Sequence, residues 1–313
     1  MPRANEGIAW RRSRAASGGT LDILIPPSIS MIIYGVLAEE SIGRLYLAGF
    51  VPGFLLAGIF MFIIAVAAKI WPSVAPREAP PSWRVRFLGL LSLFPVLVLM
   101  FIVLGTIYLG IATPTEAAAF GVVASLFLAG LAREVSVPML KKVMVTTVQA
   151  SSMIMLIVTS AFILSFALAI LGVPGQLTEL ITGWKLTPVT FVLVLVVFYL
   201  ILGTFMEALS MMVTTMPILV PVLKSMNVDL VWFGIIMVIL LEAALVSPPE
   251  GLNLYIIQGI RKSVSEDAGL KVGTMLDLWI GVLPFMVGMA ILITLLLFFP
   301  GIALWLPNLV MGK

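Results

Sequence analysis

The chain has no cysteine and no histidine, which removes thiol catalysis, disulfides, imidazole acid–base chemistry and the usual zinc sites. What remains with a chemical use is a small set of oxygen-bearing residues beside helix breakers. Leu245-Val246-Ser247-Pro248-Pro249-Glu250-Gly251 interrupts an apolar run from Val231 to Ile260, and Leu24-Ile25-Pro26-Pro27-Ser28 interrupts another. A proline inside a helix removes a backbone donor and clashes with the preceding turn. In lipid the freed groups must find partners, so a broken helix persists only where it is buried in protein or lines a wet cavity. Two matching breaks in one membrane chain point to a transporter's binding site. Around them lie Gly19, Thr20, Ser28, Gly203, Thr204, Ser247, Gly251 and Asn253, whose hydroxyl, amide and backbone oxygens suit a hard cation. The competing reading is a pair of proline kinks that only shape packing.

Two acids belong to the same set. Glu207 ends the punctuated string Gly203-Thr204-Phe205-Met206-Glu207, and Glu242 stands inside an apolar run. An ionised group at the bilayer centre costs at least ~2.5 kcal/mol, so it faces a cavity or a partner. Glu207 reads as lying near an ion site; Glu242 fits either that or an acceptor for a neighbouring helix. Glu116 follows the Thr113-Pro114 turn and reads as structural, at a helix N-terminus favoured by the dipole. The scattered methionines read as packing. Gly53 and Gly58, and Gly281 and Gly288, read as close helix contacts.

The elements that must position these residues follow from composition. Of 313 residues, 61% are hydrophobic and 11% charged, against about 25% charged in a soluble domain. Several runs exceed the ~20 residues that cross a bilayer as helix. The chain is therefore expected to be an all-α, multi-pass membrane protein, with no reason to expect a nucleic-acid partner. Residues 1–20 form a basic tail without the apolar core of a signal peptide. Residues 21–70 hold the first break and a span, and 71–142 a connecting region with two spans. Residues 143–313 hold a span, a surface stretch from Gly172 to Leu186, a hairpin at 187–223, a broken helix at 230–260 and a last span from Met275. Each half of 187–223 is marginal for a crossing, so a re-entrant hairpin with its tip at Gly203 to Glu207 is expected. With that hairpin, loops 1–20, 69–86, 133–142 and 261–274 fall inside and carry fourteen of the eighteen Lys and Arg residues, as the positive-inside rule requires. The two breaks then belong to inverted repeats: Pro26-Pro27 precedes Gly35 and Pro52 as Pro248-Pro249 precedes Gly259 and Pro284.

These strings also carry a resemblance. Gly19-Thr20-Leu21-Asp22-Ile23-Leu24-Ile25-Pro26-Pro27-Ser28, Thr113-Pro114-Thr115-Glu116-Ala117-Ala118 and Val246-Ser247-Pro248-Pro249-Glu250-Gly251-Leu252-Asn253-Leu254 resemble motifs of the large permease subunits of TRAP transporters. Gly203 to Glu207, followed by Pro217 and Pro221, is similar to the family's second hairpin. The resemblance implies an elevator-type, sodium-coupled importer of organic acids such as C4-dicarboxylates, a transporter and not an enzyme, in the cell inner membrane. It implies sodium as coupling ion with no other cofactor, and Thr204, Ser247 and Ser28 as sodium ligands. The implied partners are a small four-helix membrane subunit and a periplasmic solute-binding protein.

Departures set further expectations. Asp22, Leu240 and Glu250 stand where the family has Gly, Asn and an apolar residue. Glu250 would repel a carboxylate substrate, which places it beside the path. Family members are longer at the N-terminus, so the chain is expected to lack the first hairpin, as a fragment, a wrongly assigned start or half of a split gene. An elevator-type transporter or antiporter without a binding protein, and an inactive remnant, are the alternative readings.

Overall fold

The computed structural model describes residues 23–70, 82–248, 251, 253–259 and 274–312. Among these there is no strand, as expected for an all-α membrane protein. The helices are α1 (Ile29–Ala38), α2 (Ile42–Ile70), α3 (Trp83–Ser92), α4 (Phe94–Tyr108), α5 (Pro114–Leu131), α6 (Val137–Ile170), α7 (Val173–Gly183), α8 (Pro188–Leu202), α9 (Ala208–Ser225), α10 (Leu230–Val246), α11 (253–259), α12 (Met275–Phe298) and α13 (Gly301–Met311). Among the described residues six helical stretches are long and apolar enough to cross a membrane, with α3 and α4 counted together as one. The chain divides into two compact units, one of Met1–Arg77 with Ala161–Lys313 and one of Glu78–Ser160.

In the larger unit α10 is the core. Every residue from Leu230 to Val246 except Leu245 is buried, and a helix apolar on all sides suits that position. Asp229 caps its start, accepting from the Trp232 backbone N–H at 2.9 Å. Helices α1, α2, α8, α9, α12 and α13 pack around it. Gly234 admits α1, since a Cβ there would lie 2.6 Å from Tyr34 Cε1. The Tyr34 hydroxyl donates to the Leu230 carbonyl at 2.7 Å, and the Trp232 indole N–H donates to the Leu296 carbonyl at 2.8 Å. At the same end Lys224 meets Glu39 at 3.6 Å and Arg44 donates to Asn308 at 3.1 Å. This rim thus gathers Arg44 and Lys224, two cations that the charge count places outside; Lys69 lies at the far end of α2.

In the smaller unit α4 and α5 pack on each other, closely enough that a Cβ at Gly121 would lie 2.9 Å from Val103 Cγ2. The connection closes on the Thr106 carbonyl, which accepts from the Ile111 and Ala112 N–H groups at 2.9 and 3.1 Å. Thr113 and Glu116 form a reciprocal capping box, so Glu116 has the structural role expected of it. Most apolar side chains of α3 to α5 are exposed, as befits helices whose solvent is lipid.

Several boundaries differ from expectation. Residues 172–186 are not merely a surface stretch: they hold α7, which packs on α9. The last span ends at Phe298, where Pro300 starts α13, and α13 packs on α2. Trp83, placed in a loop by its polar surroundings, begins α3. The turn at Leu93 separates α3 from α4 because Pro95 has no N–H to continue the ladder. Of the paired glycines, Gly53 and Gly288 do stand where neighbours come close, since a Cβ there would lie 3.0 Å from Ile25 Cγ1 and 2.9 Å from Ile59 Cγ2, but one on Gly58 would meet nothing within 4 Å.

Candidate functional site

At the first break residues 24–28 leave the helical ladder and α1 begins at Ile29. The unwound segment lies against α2 through two glycines. A Cβ on Gly49 would stand 2.8 Å from the Leu24 carbonyl oxygen, and one on Gly53 3.0 Å from Ile25 Cγ1. Ser28 occupies the N-cap position in extended geometry, yet its side chain makes no capping bond. Its hydroxyl is buried and has no hydrogen-bond partner. Leaving such a group unsatisfied costs about 1–3 kcal/mol, so this hydroxyl is open to a partner such as water or an ion. Pro26 is buried and Pro27 exposed. Gly19 and Thr20 lie outside the described residues.

At the second break α10 stops at Val246 and Ser247 turns extended, with φ −72° and ψ 129°. The buried Ser247 hydroxyl donates to the Ala243 carbonyl at 2.9 Å, which leaves its lone pairs for a second partner. The Gly251 N–H donates to the Ser247 carbonyl at 2.8 Å, and the Gly251 carbonyl accepts from Leu254 at 2.9 Å to start α11. Glycine suits this closure, because a Cβ would lie 3.0 Å from the Val246 carbonyl carbon and 3.1 Å from two carbonyl oxygens, tighter than ordinary contact. Asn253 is the first described residue of α11, half-buried, and Pro248 is half-buried before the turn. Pro249 and Glu250 lie outside the described residues.

Between α8 and α9 the chain turns at residues 203–207. Tyr199 and Thr215 are hydrogen-bonded through their hydroxyls although sixteen positions apart, so the chain folds back there; a straight helix would separate them by ~24 Å. The tip sits on α10 just before its break: a Cβ on the buried Gly203 would lie 2.7 Å from Ala244 Cβ. Thr204 donates to the Ile201 carbonyl at 2.7 Å. Glu207 is exposed and caps α9, accepting from the Leu209 and Ser210 N–H groups at 3.0 and 2.9 Å. Its carboxylate therefore positions the tip by satisfying two of the orphan donors at the start of α9.

The structure thus joins the hairpin tip to the second break and seats the first break on α2. Tyrosines and Trp232 apart, the buried polar side chains among the described residues are Ser28, Ser30, Glu242 and Ser247. All four stand within a few residues of one or the other break. Glu242 is fully buried, five positions before Ser247. Among the described residues no three acidic side chains gather as a metal cluster would require. The oxygens on offer at the breaks are carbonyls and hydroxyls. Sequence reasoning missed Gly49, Ser30, Ala244 and the Tyr199–Thr215 tie. Gly49 stands three positions before the Pro52 of the repeat, but nothing in the sequence says which glycine meets which neighbour.

Residues 11–302 match the family described as "Tripartite ATP-independent periplasmic transporter, DctM component". The chain is 33% identical to the C4-dicarboxylate TRAP transporter large permease protein DctM of Pseudomonas aeruginosa, an alignment covering 98% of this chain and 70% of that protein. It is 31% identical to the sialic acid TRAP transporter large permease protein SiaM of Vibrio cholerae, covering 92% and 65%. It is 34% identical to the isethionate TRAP transporter permease protein DctMQ of Oleidesulfovibrio alaskensis, covering 86% and 42%. The helix breaks, the hairpin tip docked beside one of them and the Thr113–Glu116 turn all lie inside the matched region: the chain belongs to the DctM family of TRAP transporter large permeases, multi-pass proteins of the inner membrane that transport and do not catalyse.

Proposed function

We propose that this chain lines the transport path of a sodium-coupled importer of organic acids, C4-dicarboxylates or related carboxylates. In this reading it moves its cargo by an elevator motion, with a small four-helix membrane subunit and a periplasmic solute-binding protein as partners. The observation that carries it is the concentration of buried polar groups at the two helix breaks, with the Ser28 hydroxyl left without a protein partner. Three relatives are named for C4-dicarboxylate, sialic acid and isethionate, which supports an acid or its anion as cargo.

No arginine or lysine occurs in 24–28, 203–207 or 247–253, so no cationic side chain at these positions can neutralise an anion. The negative charge must be met by helix N-terminal dipoles and by a bound cation. A sodium ion held by Ser28, Ser247, Thr204 and the freed carbonyls supplies that charge, and coupling follows because cargo and ion then bind in each other's field. Glu207 holds the hairpin tip in place through its cap, and Gly203 lets the tip reach α10. The test is uptake of radiolabelled C4-dicarboxylate into proteoliposomes holding this chain with a small permease subunit and binding protein. Uptake that rises with an inward sodium gradient supports the reading. Equal uptake without sodium overturns the coupling, and uptake without the binding protein overturns the tripartite assignment.

A further inference from the structure

The smaller unit sorts its charge by end. Among its described residues Glu116, held in its capping box, is the only charged side chain beside the turn at 109–113. The others stand at the opposite end: Arg84 and Arg86 at the start of α3, Arg133 and Glu134 just after α5, and Lys141 and Lys142 near the start of α6. Because α4 and α5 fold back on each other from the turn, their lengths fix the depth of this end. Arg86 lies ~33 Å along the α3–α4 stretch from Tyr108, and Arg133 lies ~29 Å along the chain axis from Pro114. The hydrocarbon core is ~30 Å thick, so both reach one headgroup layer when the turn lies at the other border. Residues 143–170 of α6 are ~42 Å long and still cross when Lys142 stays in that layer. The link between α5 and α6 is closed by backbone: the Arg133 and Glu134 N–H groups donate to the Gly130 and Ala129 carbonyls at 3.0 Å, and the Ser136 hydroxyl accepts from the Met139 N–H at 3.3 Å. The side chains of Arg133, Lys141 and Lys142 are therefore not needed to hold it. All five cations are exposed, and among the described residues none is paired with an acid. The Arg86 guanidinium lies 4.9 Å from the ring centroid of Trp83, an exposed indole suited to headgroup depth.

We propose that this end of the smaller unit binds anionic phospholipid of the inner leaflet, with the phosphate among Arg84, Arg86, Arg133, Lys141 and Lys142 and the acyl chains along the helices below. Two observations select the occupant. The charge is one-sided, five cations against the single carboxylate of Glu134, so the patch attracts an anion. By the positive-inside rule the same excess places this end at the inner face. The cations also adjoin apolar surface without a gap. Phe87 follows Arg86, Val143 follows Lys142 and Leu131 ends α5 two positions before Arg133, all three exposed. A free phosphate or a soluble polyanion leaves those side chains uncovered, whereas a phospholipid presents an anion and apolar chains in that order. Apolar burial gives no net drive within a bilayer, so selection among lipids rests on the headgroup charge. The unit concerned holds neither helix break, and the inference is independent of the ion and cargo proposed above.

The test uses the full chain in nanodiscs of phosphatidylethanolamine and phosphatidylglycerol, doped with a photoactivatable analogue of one lipid or the other. Adducts of the glycerol lipid should exceed those of the ethanolamine lipid and map to the start of α3 and to residues 131–145. The triple variant Arg133→Asn, Lys141→Gln, Lys142→Gln should lower that labelling by roughly 100-fold, about five-fold for each cation removed. Asparagine tolerates the left-handed backbone at position 133, where φ is 58°, and glutamine suits a helix, so the thermal midpoint should hold. Lys141→Arg should keep the labelling, and so should Lys185→Gln, which removes an exposed cation of the larger unit. Equal labelling by the two lipids at these positions, or a triple variant that labels like the parent, would overturn the inference. So would an equal loss in Lys185→Gln, or displacement of the lipid by excess inorganic phosphate.

Discussion

Gly203→Ala is the sharpest perturbation of the hairpin. The backbone at Gly203 is ordinary, with φ −64° and ψ −14°, so the added methyl costs nothing in conformation. It costs in space: the new Cβ would be 2.7 Å from Ala244 Cβ and 3.3 Å from Ala244 Cα. Carbon atoms in contact prefer about 3.5–4.0 Å, so the tip must lift by roughly 1 Å from α10. Overpacking of that kind costs about 1–3 kcal/mol. The equilibrium between docked and lifted tip then shifts by about 5- to 150-fold. The absence of cysteine gives a clean assay. Ala208 is buried at the start of α9, and a single Ala208→Cys reports tip lifting by its maleimide labelling rate. That rate should rise by the same factor in Gly203→Ala and fall back when Ala244→Gly removes the opposing methyl. Rescue is incomplete because the Tyr199 carbonyl still lies 3.1 Å from the new Cβ. Because Ala244→Gly carries its own cost of about 1 kcal/mol, the coupling is read from a double-mutant cycle. A labelling rate indifferent to Gly203→Ala, or a cycle with no coupling, would refute the contact between tip and broken helix.

Other perturbations follow from single contacts. Tyr34→Phe removes the buried bond to the Leu230 carbonyl and should cost about 1 kcal/mol, seen as a lower thermal midpoint in detergent micelles. Gly288→Leu should cost about 1–3 kcal/mol, because its Cβ already meets Ile59 and Ile63 at 2.9 and 3.0 Å; a neutral effect on the midpoint would contradict the packing of α2 on α12. Thr113→Ala breaks the capping box and should cost about 0.5–2 kcal/mol, with faster amide exchange confined to the first turn of α5.

Much of this arrangement was legible in the residues because backbone chemistry is local. Pro26-Pro27 and Pro248-Pro249 announce breaks wherever they stand in an apolar run, and Gly203 to Glu207 announces a turn by its own composition. Glu116 beside Thr113 is a capping signal at fixed spacing. What could not be read is which surfaces meet. Gly53 and Gly58 look alike in sequence, yet a Cβ on one would meet Ile25 and a Cβ on the other would meet nothing within 4 Å. Glu207 illustrates the same limit differently. A carboxylate in an apolar stretch suggests an ion site, but its position directly before α9 gives it two backbone N–H groups to hold. The orphaned Ser28 hydroxyl is a property of burial, and no sequence pattern distinguishes it from a satisfied N-cap.

The central claim, that the breaks hold a coupling sodium ion, is tested most directly by ion-dependent thermal stability of the purified chain. A ligand that binds only the folded state raises stability as its concentration exceeds its dissociation constant. Raising sodium at constant ionic strength should raise the thermal midpoint while potassium leaves it unchanged, and Ser28→Ala and Ser247→Ala should each move that rise to higher sodium. Equal stabilisation by sodium and potassium, or an unaltered sodium response in both variants, would contradict it.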